Sequence, residues 1–564
     1  MKWRHIDQCF WVVGYVYTIW WLLCFVAALA GFQGQVSPPP PPPGVRLRRE
    51  GVTALHPVVL LPGILSGGLE LWEGRPCAQP LFRKPLWPPT LSQFLQRPLC
   101  YLEHLSLHNE TGMDPPGIRV RAVPGLVAAD NFAHAYSFWS LLIQNLAKLG
   151  YEGKNLYMAS YDWRLSFQNT EIRDQSLSRL KSKIELLFST NGYKKVVVVP
   201  QSMGAVYFLH FLKWVETPRD MGGGGGGPGW CDKHIKAVMN ISPSFLGSPR
   251  AVSNIFSAEG NDVPFVRALA SGLLNFDYFG RRSLENIMQV CQTWDSIISL
   301  MPKGGETIWG DLDWSHEEGN NCDPVNKRYE EQFINNNTYN GSDDKQKKPI
   351  KYQRIISFGK AFDQIKNNNV FAHQQEIASP KTMERAKAHF SHGIAENIDD
   401  PKYSHHRYWS NPLETQLPNA PDMEIYCLYG VGIPTKRSYV YNKLSTSKKC
   451  KTIPFRIDAS ANGGDGVHFV DDDESVPVLS SGFMCAKGWR GSTRFNPSGM
   501  TTYIREYRHK EPPGSVLEGN IIMGNVALVE DVLRVAAGAT GEDIGGDRIF
   551  SDIMRMSERI NLRL

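Results

Sequence analysis

The sequence predicts an α/β protein in which a mostly parallel sheet carries helices on both faces. Three observations predict it. Short apolar runs bounded by turn residues alternate with stretches of helical period. The run Val196 to Val199 is apolar without alternation, as a strand buried on both faces is. That run then passes through the tight turn Gln201-Ser202-Met203-Gly204 straight into the apolar stretch Ala205 to Leu212, a strand-turn-helix.

Taken in order, His56-Pro-Val-Val-Leu-Leu-Pro-Gly63 reads as a buried strand ended by a Pro-Gly turn. Ser137 to Leu149 has the periodicity of a helix, Asn155 to Ser160 is a short strand, and Leu177 to Ser189 is a second helix leading to the Val196 strand. Gly222 to Gly227, followed by Pro228-Gly229, reads as a flexible surface insertion; with no lysine after it, it is not a phosphate-binding loop. Ile235 to Ile241 resumes the sheet, residues 317 to 351 form a polar insertion, Met423 to Val431 returns to strand character, and Val526 to Ala537 is a late amphipathic helix. No internal repeat is visible.

The 564 residues are 42% hydrophobic, the balance of a globular protein with ample core. A net charge of +5, with no basic block interleaved with aromatics, gives nucleic-acid binding no support. After a short tail, residues 1 to 9, the uncharged run Phe10 to Ala30 is long enough at 1.5 Å per residue to cross a hydrocarbon core of about 30 Å. The competing reading is a cleaved signal peptide ending at Ala28-Leu29-Ala30, but such peptides carry apolar regions of only about 7 to 15 residues, so an uncleaved single anchor is expected. Lys2 and Arg4 before the span, set against the distant Arg46, Arg48 and Arg49, hint at a lumenal body. Residues 31 to 54 form a linker in which Pro38 to Pro43 favour an extended polyproline spacer, and the catalytic domain is expected over 55 to 564.

Outside the anchor lie Cys77, Cys100, Cys231, Cys291, Cys322, Cys427, Cys450 and Cys485, none in a C-x-x-C pair, which argues against a zinc ribbon or thioredoxin motif. Their number suits disulfides in an oxidising lumen and is also ordinary for reduced thiols. Sequons at Asn109, Asn240, Asn336 and Asn340 are compatible with a lumenal glycoprotein.

The turn at Ser202 fits the α/β-hydrolase elbow, G-x-S-x-G, in which small neighbours let a strained serine stand above the sheet; here the first glycine is Pro200. The competing reading is a serine in an ordinary turn. An acyl-transfer serine needs two backbone donors for the oxyanion, and these would be the amides of Met203 and Ile64. It also needs an acid and then a histidine later in the chain. Phe469-Val-Asp-Asp-Asp-Glu-Ser-Val-Pro477 is the candidate acid loop, with an exposed acidic turn or a weak metal site as alternatives. No other spacing suggests a metal, and His104, His134 and His389 read as structural or exposed.

Several motifs occur in order: His56 to Gly63, Leu71-Trp-Glu-Gly74, Tyr161-Asp-Trp-Arg164, the Ser202 elbow, Pro302-Lys-Gly-Gly305, Tyr429-Gly-Val-Gly-Ile-Pro434 and Met484-Cys-Ala-Lys487. Together they resemble the plant phospholipid:diacylglycerol acyltransferases, relatives of lecithin:cholesterol acyltransferase. The likeness runs from about Leu55 to Leu564, with a shortened middle around residues 360 to 385. It implies an α/β-hydrolase fold with lid and cap insertions behind one N-terminal transmembrane helix. The implied activity is that of an endoplasmic-reticulum enzyme moving the sn-2 acyl group of a membrane phospholipid onto diacylglycerol, with no acyl-CoA and no cofactor. By the same resemblance Ser202 is the nucleophile and Asp473 orients its base. Cys77 with Cys100 would close a lid-like loop around Leu71 and Trp72, and Cys450 with Cys485 would form a second bridge. An apolar flap and a membrane tether would keep water from the acyl-enzyme.

The chain departs from that family pattern at its base. The family histidine precedes a Met-Gly-Asn segment, yet Leu517 to Asn525 reaches Met-Gly-Asn without one, and His509 is the only histidine after Asp473. His509 therefore alone preserves the chain order, against the reading of a solvated residue among charges; His468 precedes the acid and is a weaker candidate. Gln201 stands where the family has histidine, and Ser242-Pro-Ser244 where it has Gly-Gly-Pro. Three readings follow: a lipid acyltransferase, a phospholipase-type hydrolase that passes the acyl group to water, and a non-catalytic lipid-binding homologue or a coding sequence lacking a short exon end.

Overall fold

The computed structural model describes residues 16–22, 41–89, 94, 96–130, 139–256, 280–310, 315–317, 356–357, 380–443, 455–458, 466–472, 475–508 and 521–564. The chain divides into two units, Met1–Pro42 and Pro43–Leu564. In the first, residues 16–22 are helical with exposed side chains; the rest of the expected anchor lies outside the described residues. Among the described residues no helix is long and apolar enough to cross a membrane, so the transmembrane span has no support from the structure.

The second unit begins at Pro43, ahead of the Leu55 expected from sequence. The reason is a helix, Pro43–Arg49, that buries Gly44 and Leu47. Gly44 donates its N–H to Asn145 Oδ1 at 3.0 Å, and a Cβ there would lie 2.3 Å from the Asn145 carbonyl. Close approach to the helix Ser140–Leu149 thus ties the end of the linker into the fold.

The strands are β1 Val58–Leu61, β2 Leu69–Glu73, β3 Pro85–Trp87, β4 Arg119–Ala122, β5 Leu156–Met158, β6 Val196–Pro200, β7 Ile235–Ile241, β8 Ile356–Ser357, β9 Glu424–Val431, β10 Ile433–Lys443, β11 Phe455–Ile457, β12 Val467–Asp472 and β13 Thr502–Arg508. Six of them make the central sheet in the order β13-β9-β7-β6-β1-β5, and every neighbouring pair is parallel. Side chains alternate between two cores, as strand geometry requires. Val59, Leu61, Val196 and Val198 join one core with the helices Ser176–Thr190 and Met203–Glu216. Val58, Leu60, Val197 and Val199 join the other with Ser140–Leu149 and Val526–Ala536. Burial on both faces explains why β6 reads as unbroken valine.

Two smaller sheets flank this core: β3-β2-β4, antiparallel, and β11-β10-β12 with β8 beside β10. The glycine run after the helix Met203–Glu216 is packed rather than free. Gly224 donates to the Trp214 carbonyl at 2.7 Å and Gly226 to that of Val215 at 2.8 Å, and a Cβ on Gly224 would sit 2.5 Å from the Trp214 ring. Glycine is required there by close contact, not by flexibility. Of the polar insertion at 317 to 351, only residue 317 is described.

Candidate active site

Ser202 joins β6 to the helix Met203–Glu216 with φ 51° and ψ −120°, a backbone region held only where the surroundings enforce it. The enforcement is steric. A Cβ on Gly204 would lie 2.7 Å from the Leu61 carbonyl and 2.8 Å from that of Pro62, and one on Gly63 would lie 2.7 Å from the Gln201 carbonyl and 3.0 Å from Ser202 Cβ. Pro200 replaces the usual first glycine without loss because it ends β6, opposite Leu61, where the next amide, that of Gln201, supplies the bond to the Leu61 carbonyl at 3.0 Å. Ser202 is half-buried, and no described residue hydrogen-bonds its hydroxyl.

The loop after β1 is fixed group by group. Tyr161 donates its hydroxyl to the Pro62 carbonyl at 2.8 Å, Trp87 its indole N–H to Leu65 at 2.8 Å, and Trp163 to Gly67 at 2.9 Å. Gln201 Oε1 accepts from the Gly63 amide at 3.2 Å and from the Ser66 hydroxyl at 3.0 Å. The amides of Ile64 and Met203 have no acceptor among the described residues. The Met203 amide follows Ser202 directly and is the positive end of a fourteen-residue helix, and the Ile64 amide follows Gly63, whose Cβ position would lie 3.0 Å from Ser202 Cβ. The motif Tyr161-Asp-Trp-Arg164 was visible in sequence, but its task of holding this loop was not. Gln201, noted there only as a departure, is the residue that ties loop to elbow.

Behind the loop, burial pushes the Asp162 carboxyl up, but Arg164 and Arg173 beside it hold it well below the usual carboxylate range. Asp162 Oδ2 accepts from Arg164 at 2.7 Å and from Arg173 at 2.8 Å. Arg164 also reaches Asp114 at 2.9 Å and the carbonyls of His104 and Leu105 at 3.3 Å. The hub thereby holds the end of the helix Pro98–Leu105, which carries Cys100.

The two expected lid residues separate. Leu71 is buried in β2, whereas Trp72 is exposed, donating to Glu70 at 2.8 Å under the Arg83 guanidinium. Phe82 and Leu99 are exposed on the same disulfide-closed segment. Cys77 and Cys100 are bonded. The second bridge is not the expected one: Cys485 pairs with Cys427 on β9, because the turn Met484–Gly488 packs against the sheet there, and Cys450 lies outside the described residues. Asn240 is buried in β7 and donates to the Tyr426 carbonyl at 3.0 Å, so it carries no glycan in the folded chain. Asn336 and Asn340 lie outside the described residues, while Asn109 is exposed. His104 comes near both sulfurs of the first bridge, but its ring donates to the Cys100 carbonyl and accepts from the Arg75 amide.

Asp473 and His509 lie outside the described residues. Their neighbours in the chain are placed: Ser475 accepts the Ser248 hydroxyl at 3.0 Å, on the loop that follows β7, and His509 follows Arg508, the last residue of β13. Sequence reasoning missed β13 because two adjacent charged residues, Arg505 and Glu506, are buried in its middle. Arg505 pairs with Asp531 at 2.9 Å, and Glu506 accepts from Tyr429 at 2.9 Å. His210, on the elbow helix, is no substitute base. It lies eight residues beyond Ser202, about 12 Å along the axis at the usual rise, and burial, with His406 and His389 nearby, pushes it down to about 3. His468 is buried within β12.

The sequence pattern of the family described as lecithin:cholesterol acyltransferase matches residues 81–525. An Arabidopsis thaliana protein provisionally named phospholipid:diacylglycerol acyltransferase 2 is 57% identical over 627 aligned positions, covering 99% of this chain and 94% of its own. The Arabidopsis thaliana phospholipid:diacylglycerol acyltransferase 1 is 52% identical, covering 100% of this chain and 93% of its own. The Schizosaccharomyces pombe phospholipid:diacylglycerol acyltransferase is 36% identical over 92% of this chain and 78% of its own. The 627-position alignment is longer than the 564 residues of this chain, so that relative carries residues that this chain lacks.

Proposed function

The chain belongs to the lecithin:cholesterol acyltransferase family, and from that premise we propose that it is a phospholipid:diacylglycerol O-acyltransferase that forms triacylglycerol through a serine acyl-enzyme. Ser202 Oγ attacks the sn-2 ester carbonyl of a phospholipid, and the Met203 and Ile64 amides receive the oxyanion. The lysophospholipid leaves, and the diacylglycerol hydroxyl takes the acyl group from Ser202. Asp473 orients the base, and His509, directly after β13, is the substitute that chain order leaves. Ester exchange needs no cofactor. The observation that carries the reading is the elbow itself: a strained Ser202 whose following amide, that of Met203, is open, beside a loop held at the Gly63 amide and at the Pro62, Leu65 and Gly67 carbonyls.

The finer assignments belong to the same proposal. Phe10 to Ala30 anchors the protein in the endoplasmic-reticulum membrane with the catalytic unit on the lumenal side, a reading supported by the length of the uncharged run. Exposed Trp72, Phe82 and Leu99 suit contact with lipid.

The absence of any histidine beyond His509 favours a second reading, a lipid-binding homologue without turnover. Acyl transfer from labelled phosphatidylcholine to diacylglycerol, in microsomes from cells lacking other triacylglycerol synthesis, separates the two. Activity in the wild type, lost in Ser202→Ala and in His509→Ala, supports the enzyme with His509 as base. Activity only after a family-like histidine segment is restored after Gly519 supports the second reading.

A further inference from the structure

A cleft of about 460 Å³ opens between the β2–β4 sheet and the carboxyl ends of β1 and β5, where ligands of parallel sheets are bound. Ser202 does not line it. Its walls carry Arg83, Arg119, Arg121, Arg173 and Arg179 against only Glu70 and Asp174. Arg173 and Arg121 are locked into ion pairs with Asp114 and Asp174, so their charge is largely offset and they are not free to contact a ligand.

Arg179 differs. It is exposed on the helix Ser176–Thr190 and has no carboxylate within ion-pair distance among the described residues. Arg83 is likewise exposed, 3.5 Å from Glu70 and 4.5 Å above the Trp72 ring. On the inner wall the Ser160 hydroxyl is shielded from water without a hydrogen-bond partner, an arrangement that is unfavourable unless a ligand supplies one.

From this juxtaposition we propose that the cleft binds a phosphate group, held by the Arg179 and Arg83 guanidiniums with Ser160 donating a hydrogen bond from within. Guanidinium groups pair with phosphate oxygens bidentately, which favours phosphate over a simple halide. The cleft shares a wall with the nucleophile: Tyr161 lines it while holding the Pro62 carbonyl, and stacks on Tyr207 of the elbow helix at 4.1 Å. Leu61, at its edge, pairs with Pro200, two residues before Ser202. At about 4.8 Å between strands and 3.3 Å per residue, the cleft begins within about 10 Å of the nucleophile. The source of the phosphate, a phospholipid headgroup or the free ion, rests on the acyltransferase reading; the site itself does not.

The test uses the full chain in detergent with Ser202→Ala, so that no turnover intervenes. Binding of inorganic phosphate and of glycerophosphocholine is measured by calorimetry, then repeated with Arg179→Gln and with Arg83→Gln added, each checked for an unchanged melting temperature. The expected result is binding of at least one probe, weakened about 10-fold or more by either substitution, the loss expected for one charge-assisted hydrogen bond. Tighter binding of glycerophosphocholine assigns the site to the headgroup, and tighter binding of phosphate assigns it to the free ion. Failure of both probes to bind, or binding that both substitutions leave unchanged, overturns the site. Arg179-dependent binding in a chain whose wild type transfers no acyl group would keep the site and remove the acyltransferase reading.

Discussion

The proposed nucleophile side of the site and its proposed acid-base side are built on different principles. Around Ser202, backbone carbonyls at Pro62, Leu65 and Gly67 are each held by a buried aromatic side chain, and Gln201 fixes the Gly63 amide. The catalytic elements there are backbone groups whose aim is set by sterics within two adjacent strands. In the proposed site the other side depends on two single side chains, Asp473 directly after β12 and His509 directly after β13. By the resemblance to the plant acyltransferases, it is also there that a histidine before Met-Gly-Asn525 is missing. On that proposal an elbow keeps its shape in a chain whose proton relay differs, because the contacts that fix it come from β6 and the loop after β1.

The largest expected effect is on chemistry alone. Ser202→Ala should lower acyl transfer by on the order of 10⁶-fold, as triad knockouts do, while unfolding free energy moves by less than about 0.5 kcal/mol. Parallel loss of activity and stability would mean that the serine is structural.

Next comes the hub that holds the loop. Asp162→Asn removes one of the two carboxylates that the buried Arg164 and Arg173 share, leaving Asp114, and should destabilise the fold by about 3 kcal/mol in chemical denaturation. Its pH dependence has a defined sign. Because the two arginines hold the Asp162 carboxyl below its unfolded value, its contribution is fully present above about pH 4 and is lost as pH falls further. The variant should therefore show a flatter acid limb than wild type.

Gly204→Ala pushes a methyl group into two backbone carbonyls that cannot swing away. A loss of about 1–3 kcal/mol is expected in thermal unfolding, with activity falling as β1 and the elbow helix separate. The smallest effect sharpens the comparison most. Gln201→Ala frees the Gly63 amide and leaves the Ser66 hydroxyl only the Gly63 carbonyl, so the Ile64 amide loses its aim; kcat should fall about 10-fold with KM unchanged, for about 1 kcal/mol of stability. Gln201→Glu, which can accept the same two bonds, should recover much of kcat. A change in KM instead would place Gln201 in substrate binding.

How far the sequence could be read follows the same division. β6, the elbow and β7 were legible because their patterns are local: unbroken valine for a doubly buried strand, a small residue where helix meets strand. The observed bounds Ile235–Ile241 coincide with those expected. β13 was not legible, since the adjacent buried charges Arg505 and Glu506 interrupt its apolar residues Tyr503, Ile504 and Tyr507. The Cys427–Cys485 bridge and the anchoring of Pro62 by Tyr161 join residues 58 and 99 positions apart, separations at which no local pattern indicates the partner. Gln201 shows a third case, a residue visible as an exception whose role depends on a loop more than a hundred residues earlier.

The most direct measurement is peptide mapping by mass spectrometry after treating the full-length protein with a long-chain fluorophosphonate, which phosphonylates an activated serine irreversibly. The account predicts one adduct, on Ser202, abolished in Ser202→Ala and retained when Arg179 is replaced. An unlabelled protein, or an adduct on another serine, would contradict Ser202 as the nucleophile and leave the elbow as a fold feature without chemistry.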